Sequence, residues 1–292
     1  MSSRACGRAS VADTLSGKAL AAEIRADVTE RAAKLTAAGT TPSLAIVVAT
    51  DDDGTLWYVR SIVKAAEKVG VTATIHTVEP PTAEAIGAKL TDLAADDSVH
   101  GVILQTPLPE GVSLTDLSHL LPAAKDIDGA SPVSAGNLTL GLPAFAPATA
   151  QACMELLAHH GVELSGKRAV VLGRSAVVGK PVAQLLLQAN ATVTIAHSRT
   201  ADLPAVARTA EVLVVAVGRA DFVTDEHVAP GAVVVDVGTN TAADGSLVGD
   251  VAAASVEPVA GGLTPVPGGV GPVTTALLLR HAVSAAEGTF DR

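Results

Sequence analysis

Aromatic residues are nearly absent from this chain: one tryptophan, one tyrosine and three phenylalanines in 292 residues, although 48% of the sequence is hydrophobic. The interior must therefore be assembled from Ala, Val, Leu and Ile, and this apolar content excludes an intrinsically disordered chain. Cysteine is scarce too, with only Cys6 and Cys153. So far apart, they make neither a disulfide framework nor a metal-ligand cluster, which fits a reducing cytoplasm, and no metal is expected. A basic run is also missing. The 30 Asp and Glu outnumber the 20 Lys and Arg for a formal charge of −10, which repels nucleic-acid backbones and anionic membranes. No apolar stretch approaches the ~18 residues needed to cross a bilayer. Arg4 and Arg8 are not followed by the apolar segment of an export signal. These absences describe a soluble cytoplasmic protein with no nucleic-acid or membrane partner. At ~150 residues per domain, the length suggests two domains, each large enough to bury a core.

What the chain does have is a rhythm of short β-branched runs and Ala-rich segments of helical spacing. The pattern predicts helix over Ser16–Ala38, strand over Leu44–Ala49, helix over Trp57–Val69, strand over Thr72–Val78, helix over Thr82–Asp92 and strand over Gly101–Gln105. Such alternation means βαβ units, and unbroken apolar runs such as Leu44–Val48 belong to parallel strands covered on both faces. Residues 121–149 change character, with Pro122, Pro132, Pro143 and Pro147, and the domain junction is placed there. After a helix over Thr149–His160, a second alternating series carries strands at Ala169–Leu172, Thr192–Ala196, Val212–Val217 and Val233–Val237. A helix over Pro272–Ala286 follows the Gly/Pro-dense loop Thr264–Gly271. There is no internal repeat. His159 and His160 precede Gly161, where histidine suits the negative end of a helix.

The clearest chemical signal is Ala169-Val170-Val171-Leu172-Gly173-Arg174-Ser175-Ala176-Val177-Val178-Gly179-Lys180-Pro181. It reads as a buried strand, a glycine turn and a helix start with proline in its first turn. Glycine lets backbone approach a pyrophosphate, and the helix start favours its charge. The spacing is Gly-x-Ser-x-x-x-Gly, and an ordinary strand-to-helix turn fits it as well. The next strand ends in His197-Ser198-Arg199-Thr200, about 20 residues on, where an NAD-binding fold usually presents a carboxylate to the ribose. A cation and hydroxyls there suit a 2′-phosphate, with Arg199 or Arg174 as its partner, and favour NADP over NAD. A plain solvated loop arginine is the alternative at Arg199.

Several segments together resemble the bifunctional methylenetetrahydrofolate dehydrogenase/cyclohydrolase (FolD) family. They are Gly101-Val102-Ile103-Leu104-Gln105-Thr106-Pro107-Leu108-Pro109, Lys125-Asp126-Ile127-Asp128-Gly129, the Gly173–Pro181 turn and Thr264-Pro265-Val266-Pro267-Gly268-Gly269-Val270-Gly271-Pro272. The resemblance spans about Leu15 to Arg280. It implies a two-domain α/β protein: a folate-binding catalytic domain over residues 1–146 completed by the C-terminal helix (271–292), and a Rossmann-type NADP-binding domain over 147–270. It also implies a homodimer acting on tetrahydrofolate one-carbon derivatives. In that family, hydride passes from the methylene carbon bridging N5 and N10 to NADP, and water then opens the methenyl cation to 10-formyltetrahydrofolate.

Carried over residue by residue, the resemblance makes Tyr58, Gln105 and Asp128 catalytic and substrate-binding, with Asp128 gripping the pterin ring, and adds Pro267, Gly268 and Gly269 on the substrate side. The cofactor contacts it implies are Gly173, Arg174, Ser175, Val178 and Gly179 in the turn, His197, Ser198 and Arg199 after the next strand, and Thr239. The family's Tyr-x-x-x-Lys pair is broken, because Ile62 stands where the lysine belongs. Lys64 and Arg60 lie two positions either side of Ile62, ~200° around a helix from it. The cyclohydrolase step is therefore expected to be weak or lost. A second departure is Phe145-Ala146-Pro147-Ala148-Thr149-Ala150 in place of the family's Pro-Cys-Thr-Pro. On residues alone, Tyr58 also fits a core aromatic, Asp126 and Asp128 a turn before Gly129, and Gln105 a loop-capping amide.

Overall fold

The computed structural model describes residues 12–242 and 244–290. Arg4, Cys6 and Arg8 lie outside the described residues. In chain order the elements are β1 (Asp13–Thr14), α1 (Lys18–Ala37), β2 (Ser43–Val48), α2 (Asp53–Lys68), β3 (Thr72–Thr77), α3 (Ala83–Ala95), β4 (Gly101–Leu104), α4 (Leu114–Ser118) and α5 (Pro132–Leu140). They continue with α6 (Ala148–His159), β5 (Arg168–Leu172), α7 (Gly179–Gln188), β6 (Thr192–Ala196), α8 (Leu203–Ala207), β7 (Val212–Val215), β8 (Val233–Asp236), β9 (Asn240–Thr241), β10 (Leu247–Val248), α9 (Ala253–Val256), β11 (Gly262–Leu263) and α10 (Val270–Ala286).

The contacts divide the chain into two units. Among the described residues, Lys18–Ala152 and Pro272–Phe290 form the N-terminal unit; Cys153–Gly271 and Ala12–Gly17 form the C-terminal unit. The boundary thus falls inside α6, later than the proline-rich window predicts. The N-terminal residues join the C-terminal unit because Asp13 and Thr14 pair in parallel with Gly262 and Leu263.

In the N-terminal unit a three-stranded parallel sheet has the order β3-β2-β4. Central β2 is buried along Leu44–Val48, as a parallel strand covered on both faces should be, and each fully buried aliphatic there contributes roughly 1.5–3 kcal/mol. Helix α2 begins four residues before the pattern predicts, because the Asp52 carboxylate accepts the Thr55 N–H and caps it. α5 stands in the window where the domain junction is expected: Ser131 caps it, Pro132 fills its first turn and Gly141 closes it in the left-handed region.

The C-terminal unit holds a six-stranded parallel sheet of order β1-β11-β8-β7-β5-β6, with a small antiparallel β9-β10 hairpin beside it. Its core is aliphatic, including Val170, Leu172, Leu213, Val215 and Val234. From β5 the chain goes outward to β6 and then returns to β7 on the opposite side of β5. Strand order therefore reverses between β5 and β7, and in open α/β sheets ligands bind outside the carboxyl ends of the strands at that reversal. Among the described residues no helix is long and apolar enough to cross a membrane.

Candidate active site

The carboxyl ends of β5 and β7 meet at Gly173. Its φ is +123°, and a Cβ on it would sit 2.1 Å from the Ala216 carbonyl oxygen, so only glycine permits this approach. A Cβ on Gly179 would lie 2.4 Å from the Gly173 carbonyl. Between them, the Ser175 hydroxyl oxygen accepts the N–H groups of Val178 and Gly179, each at 3.2 Å. Two N–H groups at this helix start are thus engaged by the expected ligand Ser175, which supports the turn. Arg174 is exposed beside it.

At the end of β6, His197 builds the turn. Its N–H donates to the Thr200 hydroxyl, and its Nδ1 accepts the Arg199 N–H. This leaves Ser198 and Arg199 exposed at the carboxyl edge. The nearest downstream acid, Asp202, turns its side chain to the Ala205 N–H as the cap of α8. The donor set at this strand end is a cation with hydroxyls, which fits a phosphate better than a ribose hydroxyl. Thr239 is exposed in the loop after β8.

Two acids that the sequence reading passed over organise the same edge. Asp236 and Asp250 are both buried. Asp236 accepts the N–H groups of Gly238, Asp250 and Val251, yet burial pushes its carboxyl up to about 6. Asp250 accepts from the loop after β7 and from Asn240. The Thr264 hydroxyl accepts the Asp236 N–H at 2.7 Å and ties down the start of the Pro265–Gly269 loop. Gly268 has φ +110° and its carbonyl accepts the Gly17 N–H, so the loop is an ordered element of the C-terminal unit.

In the N-terminal unit, α2 presents a buried stripe of Thr55, Val59, Ile62 and Ala66. Tyr58, at its edge, is hydrogen-bonded to Thr275 of α10 and lies beside Asp128; burial and then the Asp128 charge push its phenol up to about 12. Its neighbour Trp57 is exposed. The Asp128 carboxyl is itself pushed up to about 7, first by burial and then by Asp126, against one weak N–H from Ala148 at 3.4 Å. Asp126 has a different role. Its carboxylate accepts Ala130 N–H, Ser131 N–H and the Ser134 hydroxyl, so it is the turn-former that either aspartate could have been.

Gln105 follows β4, and its side-chain amide donates to the Thr106 carbonyl at 2.7 Å, a local bond of the kind expected of a loop-capping amide. Ile62 is fully buried, one turn after Tyr58 on the same face, while Arg60 and Lys64 are both exposed. In the altered segment, Phe145 packs on His281 at 5.0 Å between ring centroids. The His281 Nδ1–H donates to the Ile127 carbonyl at 2.7 Å, one residue before Asp128. Thr275 and His281 sit in an apolar helix without any local motif, so sequence spacing carried no signal for them. Cys153 is buried and its thiol pushed up to about 12, which makes it inert.

A phosphate-suited strand edge in one unit and a half-buried Tyr–Asp pair in the other accord with two family models. The tetrahydrofolate dehydrogenase/cyclohydrolase catalytic domain matches residues 15–128, and the NAD(P)-binding domain of the same family matches residues 147–290. The chain belongs to the tetrahydrofolate dehydrogenase/cyclohydrolase family. It is 57% identical over 275 residues to a Bifunctional protein FolD of Nocardia farcinica, covering 94% of this chain and 97% of that one. The crystal structure of a FolD methylenetetrahydrofolate dehydrogenase/cyclohydrolase from Campylobacter jejuni superposes with a TM-score of 0.91 at 38% identity, covering 94% of this chain and 98% of its own. A Trypanosoma brucei methylenetetrahydrofolate dehydrogenase-cyclohydrolase, complexed with NADP and an inhibitor, gives 0.89 at 35% identity, with 95% and 98% covered. The family's fold, a catalytic and an NAD(P)-binding domain each built on a parallel sheet, is the fold of this chain.

Proposed function

We propose that this protein oxidises 5,10-methylenetetrahydrofolate with NADP and leaves the methenyl product largely unhydrolysed. The observation that carries the second half is Ile62, fully buried on the face of α2 that carries Tyr58, with Arg60 and Lys64 exposed. On the cofactor side the Gly173 turn would hold the pyrophosphate, Arg199 and Arg174 with Ser198 the 2′-phosphate, and Thr239 the neighbouring edge. Bound NADP supplies the hydride acceptor. On the substrate side the Asp128 carboxylate accepts N–H groups of the pterin ring, Tyr58 and Gln105 flank the one-carbon unit, and the Pro267–Gly269 loop gives backbone contacts.

The two steps ask different things of these residues. Hydride transfer requires alignment and little acid–base chemistry, so it survives the loss of a lysine. Hydrolysis requires a water to lose a proton and a ring nitrogen to be released. A phenol held at about 12 stays protonated near neutrality and is no base, and Asp128 is committed to the pterin. An isoleucine donates nothing. The test is a paired assay on one preparation, with NADP reduction by 5,10-methylenetetrahydrofolate measured first. Decay of 5,10-methenyltetrahydrofolate is then compared with a protein-free control. Reduction with decay at the control rate supports the proposal. Decay that keeps pace with reduction refutes the loss of hydrolysis, and no reduction at all refutes the dehydrogenase.

A further inference from the structure

Asp250 is completely buried and its carboxylate is saturated with donors. Oδ2 accepts Val217 N–H at 2.7 Å and Gly218 N–H at 2.8 Å; Oδ1 accepts Arg219 N–H and Asn240 Nδ2–H, both at 2.9 Å. Three consecutive N–H groups of the loop after β7 therefore converge on one side chain. In a trans peptide the carbonyl lies opposite the N–H. Turning these N–H groups toward Asp250 thus turns the carbonyls of Ala216, Val217 and Gly218 away from it. The Ala216 carbonyl, the first of the three, is the group that meets Gly173 at the strand reversal. Asp236 secures the clamp from behind by accepting the Asp250 N–H at 3.0 Å. The fit leaves no slack: a Cβ on Gly238 would lie 2.3 Å from Asp250 N, and one on Gly249 1.8 Å from Asp236 Oδ2.

We infer that Asp250 is a positioning residue for the nicotinamide-riboside half of the dinucleotide, holding the Val217 and Gly218 carbonyls as acceptors for its hydroxyl or carboxamide donors. The inference rests on the NADP reading above. It separates the site into two independently addressable parts. The Arg199 edge serves the 2′-phosphate, and the loop clamped by Asp250 serves the opposite end of the cofactor.

The test is Asp250→Asn, which keeps shape but sets an amino group against two N–H donors whichever way the amide turns. Binding of NADPH and of adenosine 2′,5′-bisphosphate, which lacks the nicotinamide half, is measured by calorimetry without turnover. NADPH is expected to bind about 10- to 100-fold more weakly while the bisphosphate is held within about twofold. Equal weakening of both ligands, or of neither, overturns the inference, since a merely structural role moves them together. Should the variant not fold, Asn240→Ala removes a single donor. It is then expected to weaken NADPH about two- to fivefold with the bisphosphate again unchanged, and no change in either overturns the inference. A parent protein that binds NADPH without oxidising methylenetetrahydrofolate refutes the dehydrogenase alone; one that binds no NADPH refutes both.

Discussion

On the proposal that Ile62 withholds hydrolysis of the methenyl cation, replacing it by lysine should speed that step. Ile62 is fully buried, and Tyr58 lies four residues earlier on α2, ~6 Å along the axis at 1.5 Å per residue. Helical side chains lean toward the N-terminus of their helix, so a lysine at position 62 reaches back toward Tyr58 and the carboxyl of Asp128. If the ammonium restores acid–base assistance, the gain should be about 10²- to 10⁴-fold, or roughly 3–5 kcal/mol of barrier. The structural cost comes from losing a buried aliphatic and desolvating a charge, partly offset by Asp128, and should be roughly 2–4 kcal/mol of stability.

The assay is loss of methenyl absorbance over a protein-free control, normalised to the NADP reduction rate of the same preparation so that misfolded material cancels. A second signature is independent of hydrolysis. A cation near Asp128 favours its charged form, so the carboxyl, now held at about 7, should titrate at lower pH in the variant. A folded Ile62→Lys protein that reduces NADP and hydrolyses no faster than its parent would falsify the reading that this position limits hydrolysis.

If Asp128 binds the pterin N–H groups as proposed, through its ionised carboxylate, kcat/KM for the folate should rise with pH and level off above about 7, and Asp128→Asn should lower it and abolish the inflection. The same raised carboxyl makes a stability prediction of defined sign. The neutral form is preferred in the fold, so this stabilisation is complete below the ordinary carboxylate pKa near 4 and is lost as pH rises toward about 7, with Asp236, at about 6, acting in the same direction. Thermal unfolding followed from pH 5 to 8 should show it, and in Asp128→Asn the slope should flatten. Arg199→Ala should raise the KM for NADP about tenfold or more and leave that for NAD unchanged, since only a 2′-phosphate uses the guanidinium; equal effects on both cofactors would remove Arg199 from the site. Asp126→Ala should cost roughly 3–5 kcal/mol in denaturant unfolding, because it strands the Ala130 and Ser131 N–H groups and the Ser134 hydroxyl in a buried turn.

The contrast between Asp126 and Asp128 shows where sequence reasoning stops. Both stand in one pentapeptide before Gly129, and nothing in their spacing tells the turn-former from the acid left with a single weak donor. That difference is made by Ser131 and Ser134, which arrive by way of a helix hidden behind prolines. Apolar runs such as Leu44–Val48 and Ala169–Leu172 were legible because a parallel strand buries every residue it contains. The two-residue strands at Asp13–Thr14 and Gly262–Leu263 were not, since their pairing joins the two ends of the C-terminal unit and leaves no local period. Asp236 and Asp250 escaped for a related reason: a buried acid declares itself only through the N–H groups that converge on it, and those come from three separate loops. Ile62 is the opposite case. Its identity is visible in the bare sequence as a break in a Tyr-x-x-x-Lys pattern, but an isoleucine there is harmless if a neighbouring cation turns inward. Full burial of Ile62 with Arg60 and Lys64 both in solvent argues against that route, because both side chains leave α2 on the side away from Ile62.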